Sequence, residues 1–309
     1  MPESASQSMP KKLTTTRLFR HASAARPTRP LTVRPLTHRH TSEVLAFLAV
    51  RHVHNIIMAS YIRDNGLVSA LNRGTFYACR DAQGRLQGVA LIGHLTLIEA
   101  RSRAALEAFA RLTQQCRLAR LVVTEQKKTK QFWRYYARSQ QKPRLICREL
   151  LFEQQWPIEV HEAVHGLRQA TLDDLERVAQ VHARVTLELN GLNPMEIDPE
   201  GFQRRCARRI EQGRVWVWVD DNDRLIFKAD VISDTPEVIY LEGVYVDPAE
   251  RGKGYGLRCF SQLSRILLQR TKCVCLLVNE QNRNAQAFYS KAGYKLHGYY
   301  DMIFLPETN

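Results

Sequence analysis

At 309 residues, 44% of them hydrophobic, the chain is long enough for two ordinary domains, and no apolar run approaches the roughly 18 residues a membrane span needs. Its net charge of +14 lies in the first half: residues 1 to 155 hold 26 Lys and Arg against 9 acids, and the remainder 19 against 22. Seven cysteines, an odd number without metal-like spacing, argue against a disulfide framework and a zinc module and for a reducing, cytoplasmic setting.

Residues 1 to 30 are rich in Ser, Thr, Ala, Pro and basic side chains, with Glu3 the single acid, and are expected to form a solvated, disordered tail. An organellar transit peptide is the competing reading of an Arg-rich start, but Pro10, Pro27 and Pro30 interrupt the amphipathic helix it would need. Order begins at Leu31, where LTVRPL reads as a strand. Ser42 then caps a helix over Val44 to Val50, followed by a helical stretch through Ile57 and Tyr61. Gly74 to Cys79 and Leu86 to His94 form a hairpin around Asp81-Ala82-Gln83-Gly84. Helices over Ala104 to Leu112 and Lys130 to Ala137 alternate with strands over Leu118 to Val123 and Arg144 to Phe152. His52 and His54, two apart on a helix, face different ways, and the ten histidines show no metal spacing, so no metal is expected.

After residue 160 the order repeats. Gly166 to Ala170 reads as a strand, Thr171 and Asp174 open a helix through Val185 as a capping box, and Pro199 to Gln212 forms another helix. Val215 to Val219 and Leu225 to Ser233 make a second hairpin around Asp220-Asp221-Asn222-Asp223, with Trp216 and Trp218 on one face as core. Val238 to Val246 is a nearly continuous apolar strand, which Asp247-Pro248 ends, and Leu257, Phe260, Leu263 and Leu267 mark the helix that follows. Between them stands Arg251-Gly252-Lys253-Gly254-Tyr255-Gly256. Free N–H groups at a helix start, the positive end of its dipole and two cations make a site for a diphosphate. A dinucleotide fingerprint would need glycine where Leu257 stands, and a nucleoside-triphosphate loop would need Gly-Lys-Ser/Thr, so both are excluded by spacing. The plainer alternative is a strand-turn-helix with glycine for tightness.

The spacing Arg-x-x-Gly-x-Gly after a strand resembles the coenzyme A pyrophosphate loop of the GCN5-related N-acetyltransferases, the GNAT superfamily. Downstream, Cys273 to Val278 reads as a strand ending in polar Asn279, and Asn282, Ala285, Tyr289 and Gly293 match the family's Asn-x-x-Ala-x-x-x-Tyr-x-x-x-Gly pattern without a gap. The resemblance covers roughly residues 165 to 305. It implies acetyl-coenzyme A as co-substrate, held by Arg251, Gly252, Lys253, Gly254, Tyr255 and Gly256, with Asn279 and Asn282 nearby and the pantetheine arm pairing with the backbone of Val244, Tyr245 and Val246.

The first half is similar in order, and Leu121 to Trp133 aligns with Leu276 to Tyr289 across one gap, which reads as an internal duplication. Its counterpart of the glycine loop, LTLIEARSR from Leu95 to Arg103, has no glycine, so the backbone cannot approach a pyrophosphate closely. The expected fold is therefore α/β, with two tandem GNAT-like domains, each a mixed, mostly antiparallel sheet flanked by helices. A degenerate domain at 31–155 follows the tail, and the GNAT domain occupies 160–309. This resembles two-domain bacterial proteins with an uncharacterised acetyltransferase-like N-terminal domain.

Transfer of an acetyl group from a thioester to an amine needs a held thioester, a neutral amine and a proton donor for the leaving thiolate. The family resemblance gives Tyr289 the donor's role, with an ordinary packed tyrosine as the alternative. Glu242, a lone carboxylate in an apolar strand, is the candidate base, or else a partner of a neighbouring cation. Lys228, Asp230 and Asn190 either line the acceptor site or sit on a solvated strand edge. The expected acceptor is an amine-bearing small molecule or protein. A second reading, from the charge split, is a weakly catalytic or non-catalytic coenzyme-binding protein whose basic first half contacts nucleic acid or an acidic protein.

Overall fold

The computed structural model describes residues 31–137, 142–159, 162–191 and 193–306; the expected disordered tail lies outside them, as do the side chains of Leu189 and Asn190. The first half runs β1 (Thr32–Pro35), α1 (Thr41–Ala49), α2 (His52–Asn65), β2 (Gly74–Arg80), β3 (Leu86–Gly93), β4 (Leu95–Ala100), α3 (Arg103–Gln115), β5 (Leu121–Glu125), α4 (Gln126–Tyr136) and β6 (Leu145–Gln154). The second runs β7 (Arg168–Gln169), α5 (Leu175–Asn190), α6 (Pro194–Ile197), α7 (Pro199–Glu211), β8 (Val215–Val219), β9 (Leu225–Asp234), β10 (Ile239–Val246), α8 (Tyr255–Leu268), β11 (Val274–Asn279), α9 (Arg283–Lys291) and β12 (Lys295–Phe304). Two local readings shift. Ser42 lies inside the first turn of α1, because a 3-10 turn at His38–His40, closed by a Thr37/His40 capping box, leads into that helix. Leu95–Ala100, read as a vestigial loop, is the strand β4.

Each half is a mixed, mostly antiparallel sheet with flanking helices, and no local pattern in the chain foretells how they join. All described strands lie in one sheet of order β1-β2-β3-β4-β5-β12-β6-β11-β10-β9-β8-β7. Only β4–β5 and β10–β11 are parallel, each bridged by a helix, α3 or α8. The halves exchange their last strands. β6 pairs with β11 from Val274↔Gln154 to Asn279↔Glu149, β12 pairs with β5 from Tyr300↔Glu125 to Phe304↔Leu121, and β6 and β12 pair with each other.

Alternation along the strands sorts the cores. Leu91, Val123, Leu151, Tyr240, Cys275 and Tyr300 pack under α1 and α2 on one face. On the other, α3 and α4 cover the first half, while α8 and α9 cover Ile239, Leu241, Val274 and Leu276 of the second together with Phe152 of the exchanged strand β6. Phe260, Leu263 and Leu267 of α8 are completely buried, and at about 1.5–3 kcal/mol for each such side chain they dock that helix firmly on the sheet. A rigid α8 fixes the position of the loop before it.

Candidate functional site

After β10, Asp247 Oδ1 accepts from the Ala249 amide at 2.9 Å and caps a short turn over Pro248–Glu250, which delivers the chain to Arg251. Gly252 and Gly254 have φ of 81° and 83°, and a Cβ at either would meet nothing within 4 Å. They serve the left-handed backbone and leave the loop bare; neither is needed for packing. At Gly256 the reason differs: a Cβ would come within 2.7 Å of Val246 Cγ2, so glycine lets α8 sit close on β10. No side chain caps α8, and among the described residues the amides of Gly252, Lys253 and Gly254 enter no turn or cap hydrogen bond. Such uncommitted N–H groups at a helix start suit an anion.

These amides border an open groove of about 570 Å³ between the loop, the end of β10 and α9, lined among others by Val246, Arg251, Gly252, Phe288 and Lys291. Arg251 Nε donates to the Val246 carbonyl at 3.2 Å, and Lys253 Nζ is paired with Glu250 at 2.9 Å. Sequence reasoning missed Phe288 and Lys291, which α9 turns toward the groove. The residues fit a diphosphate: bare glycines, free amides and cations on both walls. Tyr255 instead packs edge-on against Trp218, with ring centres 5.1 Å apart, and Asn282 Oδ1 caps α9 by accepting from the Ala285 amide at 3.0 Å.

Beside the groove the sheet opens. β10 and β11 pair only from Ile239↔Val274 to Leu241↔Leu276, and the register of β10 on β9 breaks between Glu242 and Tyr245. Gly243 makes this bulge. Its φ is 59°, and a Cβ there would lie 2.6 Å from Asp230 Oδ2. Glu242 and Gly243 are consequently exposed in a strand whose preceding three residues are buried. Val244 lies in the bulge. The Tyr245 ring turns toward α5, where its hydroxyl meets Arg184, so only its backbone remains for a ligand.

Glu242 points to the α2 face, opposite Leu241, and its Oε1 accepts from Tyr240 Oη at 2.7 Å. Solvent reaches the carboxyl, yet protein surrounds it on most sides, as at the floor of a cleft. This desolvation pushes its pKa up, against the Tyr240 hydrogen bond and the more distant Arg209 and Arg73. Lys228 and Asp230, alternatively read as a solvated edge, form an ion pair in the sheet with side chains 2% and 4% exposed. Asn279 shares the α2 face; its Nδ2 donates to Glu149 of β6 at 3.0 Å.

Tyr289 stands on the opposite face, in the packed cluster that includes Val244 and Val246. Its ring meets Phe260 edge-on at 5.3 Å, and burial pushes the phenol well above its ordinary pKa. The candidate donor and acceptor of protons thus lie on opposite sides of the splayed strands. Among the described residues there is no group of three metal-ligating side chains.

The first half also has a splay, since β4–β5 pairing ends at Leu97↔Val123, but it is filled. Arg51 Nη1 lies 3.0 Å from Glu99 Oε2 and 2.8 Å from Glu125 Oε1, and Lys128 Nζ reaches Glu125 Oε1 at 2.6 Å. Burial pushes the Glu125 carboxyl up, but the bonds from Arg51, Lys128 and Lys127 outweigh it and hold the group well below the usual range. Ser102 Oγ caps α3 by accepting from the Ala105 amide at 3.2 Å, taking a donor that a phosphate would use. β4 pairs with β3 without a bulge.

Residues 184–294 match the family model described as Acetyltransferase (GNAT) family. No curated protein sequence matches the chain. Among solved structures it is similar to a Drosophila protein at 11% identity and TM-score 0.64, covering 90% of this chain and 99% of that one. It is also similar to a GCN5-related N-acetyltransferase from Sphaerobacter thermophilus at 13% and 0.61, covering 91% and 99%. A tandem GNAT protein from the clavulanic acid biosynthesis pathway aligns at 12% and 0.57, covering 91% and 100%. At such identities the likeness concerns the fold.

Proposed function

We propose that this chain, whose residues 184–294 match the GNAT acetyltransferase family model, transfers an acetyl group from acetyl-coenzyme A to an amine at its second half. The observation that carries this reading is the uncapped loop from Arg251 to Gly256, facing a groove that reaches the end of β10, the strand that parts from β11 after Leu241. The amides of Gly252 to Gly254 hold the pyrophosphate, with Arg251 and Lys291 adding charge. The free backbone of Val244 to Val246 takes the pantetheine arm as a further strand. When bound, the coenzyme supplies an activated acetyl thioester. Glu242 draws a proton from the acceptor on the α2 face, and Tyr289 protonates the leaving thiolate from the α9 face. The first half holds no coenzyme, because ion pairs fill its splay and a serine caps its helix.

The test is incubation of the full chain with carbon-labelled acetyl-coenzyme A and either lysate fractions or a defined pool of amino acids, spermidine and lysine peptides. Label should appear in an amine as an alkali-stable amide. Coenzyme binding without label transfer to any amine would contradict the catalytic reading.

A further inference from the structure

One polar row crosses the middle of the sheet on the face that α2 covers. Its members are in direct register: Glu125 on β5 opposite Tyr300 on β12, Tyr300 opposite Glu149 on β6, and Glu149 opposite Asn279 on β11. Glu242 on β10 follows across the splay. Leu150, Phe152, Leu276, Val278, Ile239 and Leu241 all lie under α8 and α9, so alternation sends Glu149, Asn279 and Glu242 to the opposite face together.

The ends of this row differ in charge balance. At the first-half end, Glu99 and Glu125 are neutralised by Arg51, Lys127 and Lys128. At the other, among the described residues neither Glu149 nor Glu242 enters an ion pair; Glu149 accepts from the Asn279 amide and Glu242 from the Tyr240 hydroxyl. A carboxylate largely surrounded by protein without a paired cation is costly, and two such groups on one face of the splayed sheet is an arrangement in which one carboxyl can hold a proton that the other has released.

We infer that Glu149, carried by the exchanged strand from the first half into the cleft of the second, is the partner of Glu242 in removing the proton of the acceptor amine. The site is then composite, and the inactive half remains necessary because it supplies this residue. This inference rests on the acetyltransferase reading above. The acceptor enters as an ammonium and gives one proton to the Glu149–Glu242 pair. Its nitrogen lone pair forms the C–N bond while the C–S bond breaks, and the second nitrogen-bound proton balances the one taken up by the thiolate. The pair passes its proton to water and returns to its starting state.

Burial raises the Glu149 carboxyl, the Asn279 hydrogen bond opposes this, and the charge of Glu242 raises it further. The other groups around the pair are Tyr240, Tyr300 and Cys147, whose own pKa values are raised, with Asp230, Arg73 and Arg209 acting at Glu242. Arg148, on the other side of the strand, is engaged with Asp301 at 3.0 Å.

The experiment compares wild type with Glu149→Gln and Glu149→Asp in the full chain, measuring thiol release from acetyl-coenzyme A with the amine pool across pH. In Glu149→Gln, kcat/KM should fall about 10-fold or more and its acid limb should move to lower pH, because Glu242 loses a like-charged neighbour; Glu149→Asp should recover part of the rate. Coenzyme affinity should be unchanged, and the melting temperature at pH 7 to 8 should not fall, because Glu149→Gln removes a charge that burial disfavours. Independently of turnover, the Glu149 carboxyl resonance in carbon-13 glutamate-labelled protein, identified by its loss in Glu149→Gln, should titrate above the range of free glutamate and shift downward in Glu242→Gln. A wild-type rate and pH profile in Glu149→Gln, or a Glu149 resonance indifferent to Glu242, overturns the inference while leaving the acetyltransferase reading intact. Absence of transfer by the wild type overturns both.

Discussion

Glu242 sits where the fold would be more stable without its charge. Its folded pKa is raised above the unfolded value, so the folded state binds the proton more tightly, and stability declines as pH rises from the ordinary carboxylate range through the folded value. Glu242→Gln keeps an acceptor for Tyr240 Oη and should therefore raise the melting temperature at pH 7 to 8 while lowering kcat/KM, with partial recovery of rate at high pH, where the amine is already neutral. Thermal melts and pH–rate profiles on the same preparations check both. Tyr289→Phe keeps the ring against Phe260 and removes only the hydroxyl, so kcat should drop about 100-fold with coenzyme affinity unchanged by calorimetry. Glu242 was legible as a lone acid in an apolar strand, and Tyr289 through a spaced motif. Glu149 was not, because nothing local in LICRELLFEQ tells that its strand pairs with β11 rather than within its own half.

Elements with local signals are legible almost whole: the hairpins with turns opened by Asp81 and Asp220, the capping box at Thr171 and Asp174, and α8 with its stripe at threes and fours. What escaped depends on contacts distant in sequence. Gly243 looked like any residue of a buried strand, yet its φ of 59° and its closeness to Asp230 create the bulge that turns Glu242 into the cleft. Gly243→Ala should therefore destabilise the protein by about 1–3 kcal/mol in urea unfolding and lower activity more than it lowers coenzyme affinity. An unchanged midpoint would show that the bulge carries no strain. β4 is hidden for another reason: without a glycine loop after it, LTLIEA carries no phosphate signal to mark it as the strand before one.

Across the whole molecule the exchanged strands make one sheet of two halves. A chain of side chains reinforces the joint: Tyr300 Oη lies 2.5 Å from His54 Nδ1, His54 Nε2 lies 3.3 Å from His297 Nε2, and His297 Nδ1 lies 3.0 Å from Glu153 Oε2. Burial lowers the His54 pKa to about 4, which keeps its imidazole uncharged at neutral pH. Arg214 of the second half also grips Asp64 of α2, at 2.7 Å. The halves should consequently unfold together, as one calorimetric transition whose van't Hoff and calorimetric enthalpies agree; two resolved transitions would mean that the exchange contributes little.

The division of labour between the halves is tested most directly by calorimetric titration of the full chain with acetyl-coenzyme A, for wild type and Gly254→Trp. Wild type should bind one equivalent. In Gly254→Trp, where a bulky side chain stands over the amides of a loop that is otherwise bare, binding should vanish while the circular-dichroism spectrum stays the same. Two equivalents in the wild type, or one equivalent that survives Gly254→Trp, would contradict a single coenzyme site at the start of α8.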